Sequence, residues 1–76
     1  MRHTIKDVEF YLTCLNDVLK YEQQDGYKIQ KVNGYINIDT HDNYHVITGL
    51  TTGEAYKVLY AMYMVAEREQ KLNRGK

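Results

Sequence analysis

The chain has 76 residues and carries ten Lys and Arg against ten Asp and Glu, so its formal net charge at pH 7 is zero. A neutral chain has no overall field that attracts nucleic acid or anionic membranes, and any such affinity must come from a local patch. A single cysteine excludes an intrachain disulfide. The longest apolar run is well short of the ~20 residues of a membrane span, and the first ten residues have no signal-peptide core. We therefore expect a cytoplasmic protein without a membrane contact.

The first predicted element is an amphipathic helix over about residues 4–22. Thr4 and Asp7 have the spacing of a capping box with Asp in place of Glu. Apolar residues then recur every three or four positions, as helix packing requires, at Ile5, Val8, Leu12, Leu15 and Leu19, with Tyr11 and Val18 widening the stripe. A thin second stripe lies on the opposite side and consists of Phe10, Cys14 and Tyr21. Gly26 is predicted to be the left-handed residue that ends this helix.

From Tyr27 the hydrophobic period changes to two and predicts three antiparallel strands over about residues 27–32, 35–39 and 44–48. Asn33-Gly34 is a two-residue hairpin loop, so Val32 should face Tyr35 and Ile29 should face Ile38. This register places one set of side chains on the apolar face, namely Ile29, Ile36 and Ile38. The other face receives Lys28, Gln30, Asn37 and Asp39. Residues 40–43 are predicted to form a second turn, and Gly49 to end the third strand.

A second helix is predicted over about residues 52–72, because Thr51 and Glu54 have the spacing of a strict capping box. Residues 1–76 thus form one α+β domain with the order helix, three-stranded antiparallel meander, helix. A core in a domain of this size is marginal.

The stretch "EAYKVLYAMYMVA" is apolar over roughly 260° of the helix surface, against the ~100° or more that a surface helix needs. One stripe is predicted to cover the sheet, and it consists of Ala55, Val58, Leu59, Met62, Val65 and Ala66. One interpretation is that this helix lies centrally between sheet and first helix with its tyrosines as half-exposed rims. The favoured interpretation is a homodimer through the second helix, since small domains gain core by pairing. Its predicted contact residues are Tyr56, Tyr60, Tyr63 and Met64.

The polar clusters of the sequence are more typical of turns and helix ends than of a metal, catalytic or phosphate-binding site. The stretch "DTHDNYH" contains potential metal ligands, but its histidines flank a turn and Asp and Asn are common turn residues; the four are Asp39, His41, Asp42 and His45. Cys14 has no oxyanion-hole signature beside it and is expected to be a small hydrophobe. Gly49 and Gly53 flank a helix start, yet no P-loop lysine follows. We expect no catalytic residue, metal or cofactor.

Nucleic-acid binding is the alternative function. Tyrosines on a sheet can stack on bases, and the candidate phosphate contacts are Lys28, Lys31, Lys57, Arg68, Lys71, Arg74 and Lys76. Interspersed glutamates and the zero net charge weaken this interpretation.

The segment from Asn33 to Met62, "NGYINID...YHVITGLTTGEAYKVLYAM", resembles small uncharacterised proteins from phages and prophages of Gram-positive bacteria. Gly34-Tyr35 begins a strand, Thr51-Thr52 forms the turn, and Tyr56 and Leu59 hold the matching helical positions. The resemblance covers less than half of the chain and carries no catalytic residue. It implies a protein that binds and inhibits a host factor.

The expected function is therefore non-enzymatic. We expect a small phage-type protein that modulates or inhibits a host replication, transcription or defence factor, in the host cytoplasm, through a protein–protein surface. Tyrosine suits such surfaces because it combines an apolar ring with a polar tip. The predicted partner-binding residues are Tyr21, Tyr35, Tyr44 and Phe10. A dimeric nucleic-acid-associated phage regulator is the alternative.

Overall fold

The computed structural model describes residues 3–74 and confirms the predicted order of helix, antiparallel meander and helix in one small domain. The elements are α1 (Ile5–Tyr21), β1 (Tyr27–Val32), β2 (Tyr35–Thr40), β3 (His45–Leu50) and α2 (Thr52–Arg74). The strand order is β1-β2-β3, so β2 is central and the other two strands are the edges. None of the helices in this described range is both long and apolar enough to cross a membrane.

Both helices begin where the capping residues predict. The Thr4 backbone N–H donates to Asp7 Oδ2 at 2.9 Å. At α2 the box is reciprocal: the Thr51 N–H donates to Glu54 Oε1 at 2.9 Å, and the Glu54 N–H donates to Thr51 Oγ1 at 3.2 Å. These bonds satisfy N–H groups that the first helical turn leaves without a partner.

The end of α1 differs from the prediction, because the left-handed residue is Gln23 (φ 60°) and not Gly26. The Gln23 and Gln24 N–H groups donate to the carbonyls of Lys20 and Leu19 at 3.0 and 2.8 Å, as in a Schellman motif. Gly26 is required for a different reason. A Cβ there would lie 2.6 Å from Asn16 Oδ1, so only glycine allows this close approach.

Asn16 fastens α1 to the start of the sheet. Its Nδ2 donates to the Tyr27 carbonyl at 2.9 Å, and its Oδ1 accepts from the Tyr27 N–H at 2.8 Å. The amide side chain therefore pairs with both backbone groups of the first residue of β1, in the way that a neighbouring strand would.

The β1–β2 hairpin has the predicted register, with Val32 opposite Tyr35 and Ile29 opposite Ile38. Asn33 and Gly34 both have positive φ, 51° and 82°, as a type I′ turn requires. The third strand was predicted to end before Gly49, and this was wrong. Gly49 (φ 72°) lies inside β3, its N–H donates to Asn37 Oδ1 at 3.0 Å, and the strand continues to the buried Leu50. Two register shifts between β2 and β3 show why, since a positive-φ glycine accommodates a bulge.

The two helices lie side by side and run parallel. His3, just before α1, stacks on Tyr56 near the start of α2, and residues near the end of α1 share a small cavity with the C-terminal part of α2. The buried core lies between this pair and the sheet and consists of Val8, Leu15, Leu19, Ile36, Ile38, Leu50, Ala55 and Leu59. The Cα extents of 45 × 32 × 15 Å describe a flat molecule of two thin layers.

Replacing Asn16 by alanine should lower the free energy of unfolding by about 1–3 kcal/mol, because both backbone groups of Tyr27 lose a partly buried partner. Thr13→Ala is the matched control on the same helix, since the exposed Thr13 Oγ1 donates to the Glu9 carbonyl within α1. It should change stability by no more than about 0.5 kcal/mol. Urea unfolding followed by circular dichroism measures both, and equal midpoints for the two variants would contradict the role of Asn16.

Candidate functional site

The largest cluster of aromatic side chains lies over the line where α1 and α2 meet. We call it the aromatic face, and its members are Phe10, Tyr11, Tyr56, Tyr60 and Tyr63, with the neighbouring Met64. On α2 the tyrosines leave the helix roughly a quarter turn away from the core-facing line of Ala55 and Leu59, at ~100° per residue. They are therefore placed beside the core and not inside it.

Tyr11 is the centre of the aromatic face. Its ring centroid lies 5.3 Å from that of Tyr56, 5.2 Å from that of Tyr60 and 5.9 Å from that of Tyr63. The first two contacts are edge-to-face, the geometry that the charge distribution of aromatic rings favours. Burial, followed by the neighbouring Tyr56 phenol, raises the pKa of Tyr11. The sequence placed Tyr11 in the stripe that covers the core, and its role as the hub of a surface cluster was missed.

Phe10 extends the aromatic face onto α1. Its ring meets that of Tyr11 edge-on, with the centroids 5.2 Å apart. Phe10 is 60% exposed and Tyr60 is 41% exposed, whereas Tyr56 and Tyr63 are half-buried against Tyr11. Phe10 and the tyrosine strip were predicted as two separate surfaces, and the structure joins them into one. The contact between this strip and a second copy stays a prediction. Part of the strip is already covered by the protein's own α1, through Tyr11.

A chain of polar contacts borders the aromatic face. The Tyr63 hydroxyl donates to the Glu67 carboxylate, which also accepts from Lys71 Nζ at 2.8 Å. The hydrogen bond to Glu67, and then burial, raises the pKa of Tyr63 to about 12. The bonds from Lys71 and Tyr63 lower the pKa of Glu67. An apolar centre with a charged border is the usual composition of a protein interface.

The other predicted partner-binding tyrosines are dispersed. Tyr35 begins β2 beside the hairpin, and Tyr44 lies in the turn after β2, so the two residues lie at opposite ends of that strand. Both are exposed, as is Tyr21 at the end of α1. The structure therefore does not combine Tyr35 and Tyr44 into one surface.

The four polar residues around the second turn also do not form one cluster in the structure. Asp39 lies on the predicted face of the sheet, opposite Lys28, but it is only 1% exposed, and its Oδ1 lies 2.7 Å from His45 Nδ1. A bulge next to Asp39 places His45 directly across from it. His41 and Asp42 lie in the turn, where Asp42 accepts from the Thr40 hydroxyl. Within residues 3–74, no three His, Cys, Asp or Glu side chains are grouped closely enough to hold a metal ion.

Cys14 is half-buried between the helices, and burial and the charge of Asp17 raise the pKa of its thiol. Reactive cysteines show the opposite shift, because the thiolate is the nucleophile. Gly49 does not offer a free N–H to a phosphate, since that group is bonded to Asn37. Of the basic residues considered for nucleic acid, Lys28 and Lys31 lie on β1, whereas Lys57, Arg68 and Lys71 lie on α2. Lys76 and the side chain of Arg74 lie outside the described part of the chain.

Comparison of the chain with protein-family models, with curated proteins and with solved structures gives no match.

Glu67→Gln should make Tyr63 ionise at a lower pH, because the carboxylate that holds its proton is removed. In the wild type, one tyrosine should ionise near pH 12, and Tyr63→Phe should remove that component. The folded pKa exceeds the unfolded value of ~10, so this interaction stabilises the protein fully below pH ~10 and is lost as pH rises toward 12. Ultraviolet titration of tyrosinate measures this, with Tyr44→Phe as control. The pKa of Tyr11 is also raised, so the assignment is contradicted only if the component near pH 12 is undiminished in Tyr63→Phe.

Proposed function

We propose that the protein is a non-enzymatic binding module that recognises another protein through the aromatic face. The observation that supports this proposal most directly is the position of Phe10 and Tyr60, two large exposed rings that both contact Tyr11. Monomeric surfaces usually scatter such side chains, and a contiguous group with a charged border is typical of an interaction site.

The energetics favour this use of the aromatic face. A buried aromatic side chain covers ~150–250 Å², so rings exposed to this extent leave roughly 100 Å² each to be covered by a partner. At ~25 cal/mol per Å², each ring contributes a gross gain of about 2.5 kcal/mol. Tyr11 already holds Phe10 and Tyr60 by ring contacts, so little side-chain freedom is lost on binding.

Electrostatics favour a protein partner over nucleic acid. The charges near the aromatic face have both signs, with Lys57 and Arg68 on the same helix as Glu67. The exposed Lys28 and Lys31 belong to the edge strand below α1 and do not extend this surface. A mixed border attracts no polyanion, since phosphate binding requires several cations along one track.

The identity of the partner as a host protein is a further part of the proposal and rests on the resemblance to small phage proteins. In that setting the protein would occupy a functional surface of a bacterial factor and so inhibit or redirect it. The fold contributes a rigid support for the two rings.

The test compares Phe10→Ala/Tyr60→Ala with Tyr44→Ala, which removes an exposed tyrosine from the second turn. Each protein is tagged and used for affinity capture from bacterial host lysate, and the captured protein is then purified for calorimetry. The double variant should bind at least about 30-fold more weakly, because two anchors of about 1 kcal/mol or more are removed. Tyr44→Ala should bind like the wild type.

Equal binding by the double variant and the wild type would contradict the assignment of the aromatic face. A salt titration of the purified complex tests the class of partner. Affinity that falls steeply between low and physiological salt, together with nucleic acid in the captured fraction, would favour the nucleic-acid alternative.

A further inference from the structure

A second apolar surface lies on the opposite flank of α2. We call it the α2/β3 side, and its exposed members are Val46, Ile47, Ala61, Val65 and Leu72. On α2, the exposed members leave the helix roughly 120° from the core-facing line, in the direction away from the tyrosines. Exposed Lys57 and Arg68 lie between the tyrosines and this surface, and the two surfaces come close only at Met64 and Val65, which line one pocket with Arg68.

The sheet continues this surface below α2. Ile47 is paired with Ile38, which is completely buried, so its side chain lies on the core face of the sheet. It is nevertheless 37% exposed, because β3 is the edge strand beyond α2 and no further helix covers it. An open groove of about 370 Å³ lies along the C-terminal half of α2, between Leu15 and Leu19 of α1 and Val65. The apolar layer between helices and sheet is thus open at this side.

The two edges of the sheet differ in charge. β1 carries the exposed Lys28 and Lys31, and lysine on an edge strand disfavours pairing with another chain. β3 is protected only by its two bulges against β2. Residues 46–50 of β3, "VITGL", contain no charge at all. An uncharged edge can be placed against its own copy without bringing like charges together, whereas β1 cannot. The β3 edge therefore brings no like charges together in a pair of copies, and the acidic residues on this flank of α2 are the exposed Glu54 and Glu69.

We propose that a second copy of this chain covers the α2/β3 side, about a two-fold axis perpendicular to the sheet. This operation places β3 antiparallel to the partner's β3 and α2 antiparallel to the partner's α2. Each copy then covers the other's exposed Val65 and Ile47 and closes the open end of the groove. The interface is isologous, which is the commonest arrangement of homodimers.

The area of the α2/β3 side suits a small interface. The six residues of β3 extend about 20 Å, and the molecule is 15 Å thick, so the two-layer part of this side has a projected area of roughly 300 Å². The end of α2 beyond the sheet adds roughly 100 Å². Accessible area exceeds projected area on a rough surface, so coverage of this side approaches the ~600 Å² per partner found at the low end of stable interfaces.

Sedimentation equilibrium at high micromolar concentration tests the proposal. The wild type should show about twice the 9.0 kDa mass of the single chain. Val65→Asp should raise the dimer dissociation constant at least about 100-fold, because a two-fold interface then buries two carboxylates. Val65 was predicted in the stripe that covers the sheet, and this was wrong, since it is 60% exposed in the single chain. The substitution should therefore leave the subunit folded. Ala61→Arg, also at an exposed position, is the second variant and should have the same effect.

Two control variants test whether the dimer contact lies on the α2/β3 side. Val32→Asp makes the same change on the other edge strand, at a residue that is 41% exposed, and should leave the dimer intact. Phe10→Ala/Tyr60→Ala should also leave it intact, because the aromatic face is not in this interface. Circular dichroism verifies that each variant is folded. A wild type of 9.0 kDa, a dimeric Val65→Asp protein, or a dimer that dissociates in the Phe10/Tyr60 variant would each overturn the proposal.

Discussion

The helices of this protein are longer than the sheet that they cover. Six-residue strands extend about 20 Å, while α2 extends about 34 Å. Three side chains of the sheet are buried in the core, namely Ile36, Ile38 and Leu50. Apolar surface on α2 beyond these is either covered by α1 or exposed to solvent, and exposed apolar area of this kind favours association. The two surfaces described above both follow from this difference in length.

The parallel arrangement of the helices decides which flank of α2 is covered from within. A chain that passes through three antiparallel strands between two helices brings the second helix beside the first in the same direction. Tyr11 then lies level with Tyr56, Tyr60 and Tyr63 and fills the space between the helices. The other flank faces away from α1 and receives no such neighbour. One flank becomes a preorganised aromatic cluster and the other stays open.

Local signals in the sequence were sufficient for most of the fold. The capping residues of both helices and the Asn33-Gly34 turn act over three or four positions, so their geometry follows from residue type alone. The roles of Gly26 and Gly49 and the burial of Asp39 were not predicted, for the opposite reason. Gly26 is needed because of Asn16, ten positions earlier, and the bulges near Gly49 and Asp39 exist only once β3 is paired with β2. The role of each of these three residues depends on a residue distant in sequence, and the hydrophobic period does not indicate which residue that is.

The same limit applies to the candidate site. The tyrosine strip of α2 and Phe10 of α1 were both recognisable as apolar excess, since a helical wheel shows which side chains point away from the core. Their union depends on how α1 and α2 pack against each other, which fixes Tyr11 between them. Tyr11, which the helical spacing assigned to the core stripe of α1, is thus the centre of a surface cluster. Sequence reasoning could find the members of the aromatic face but not its continuity.

The two proposed surfaces would reinforce each other. A two-fold axis perpendicular to the sheet keeps both helical layers on the same side of the extended sheet, so the aromatic faces of the two copies would lie on that one side. A partner that is itself symmetric, or that repeats along a filament, could then contact both copies at once. The second contact is effectively intramolecular, and modest affinity at each aromatic face becomes strong overall binding without any new contact. For a chain of this size, which holds only a few anchor residues, pairing is thus a physical route to both a larger core and a tighter complex.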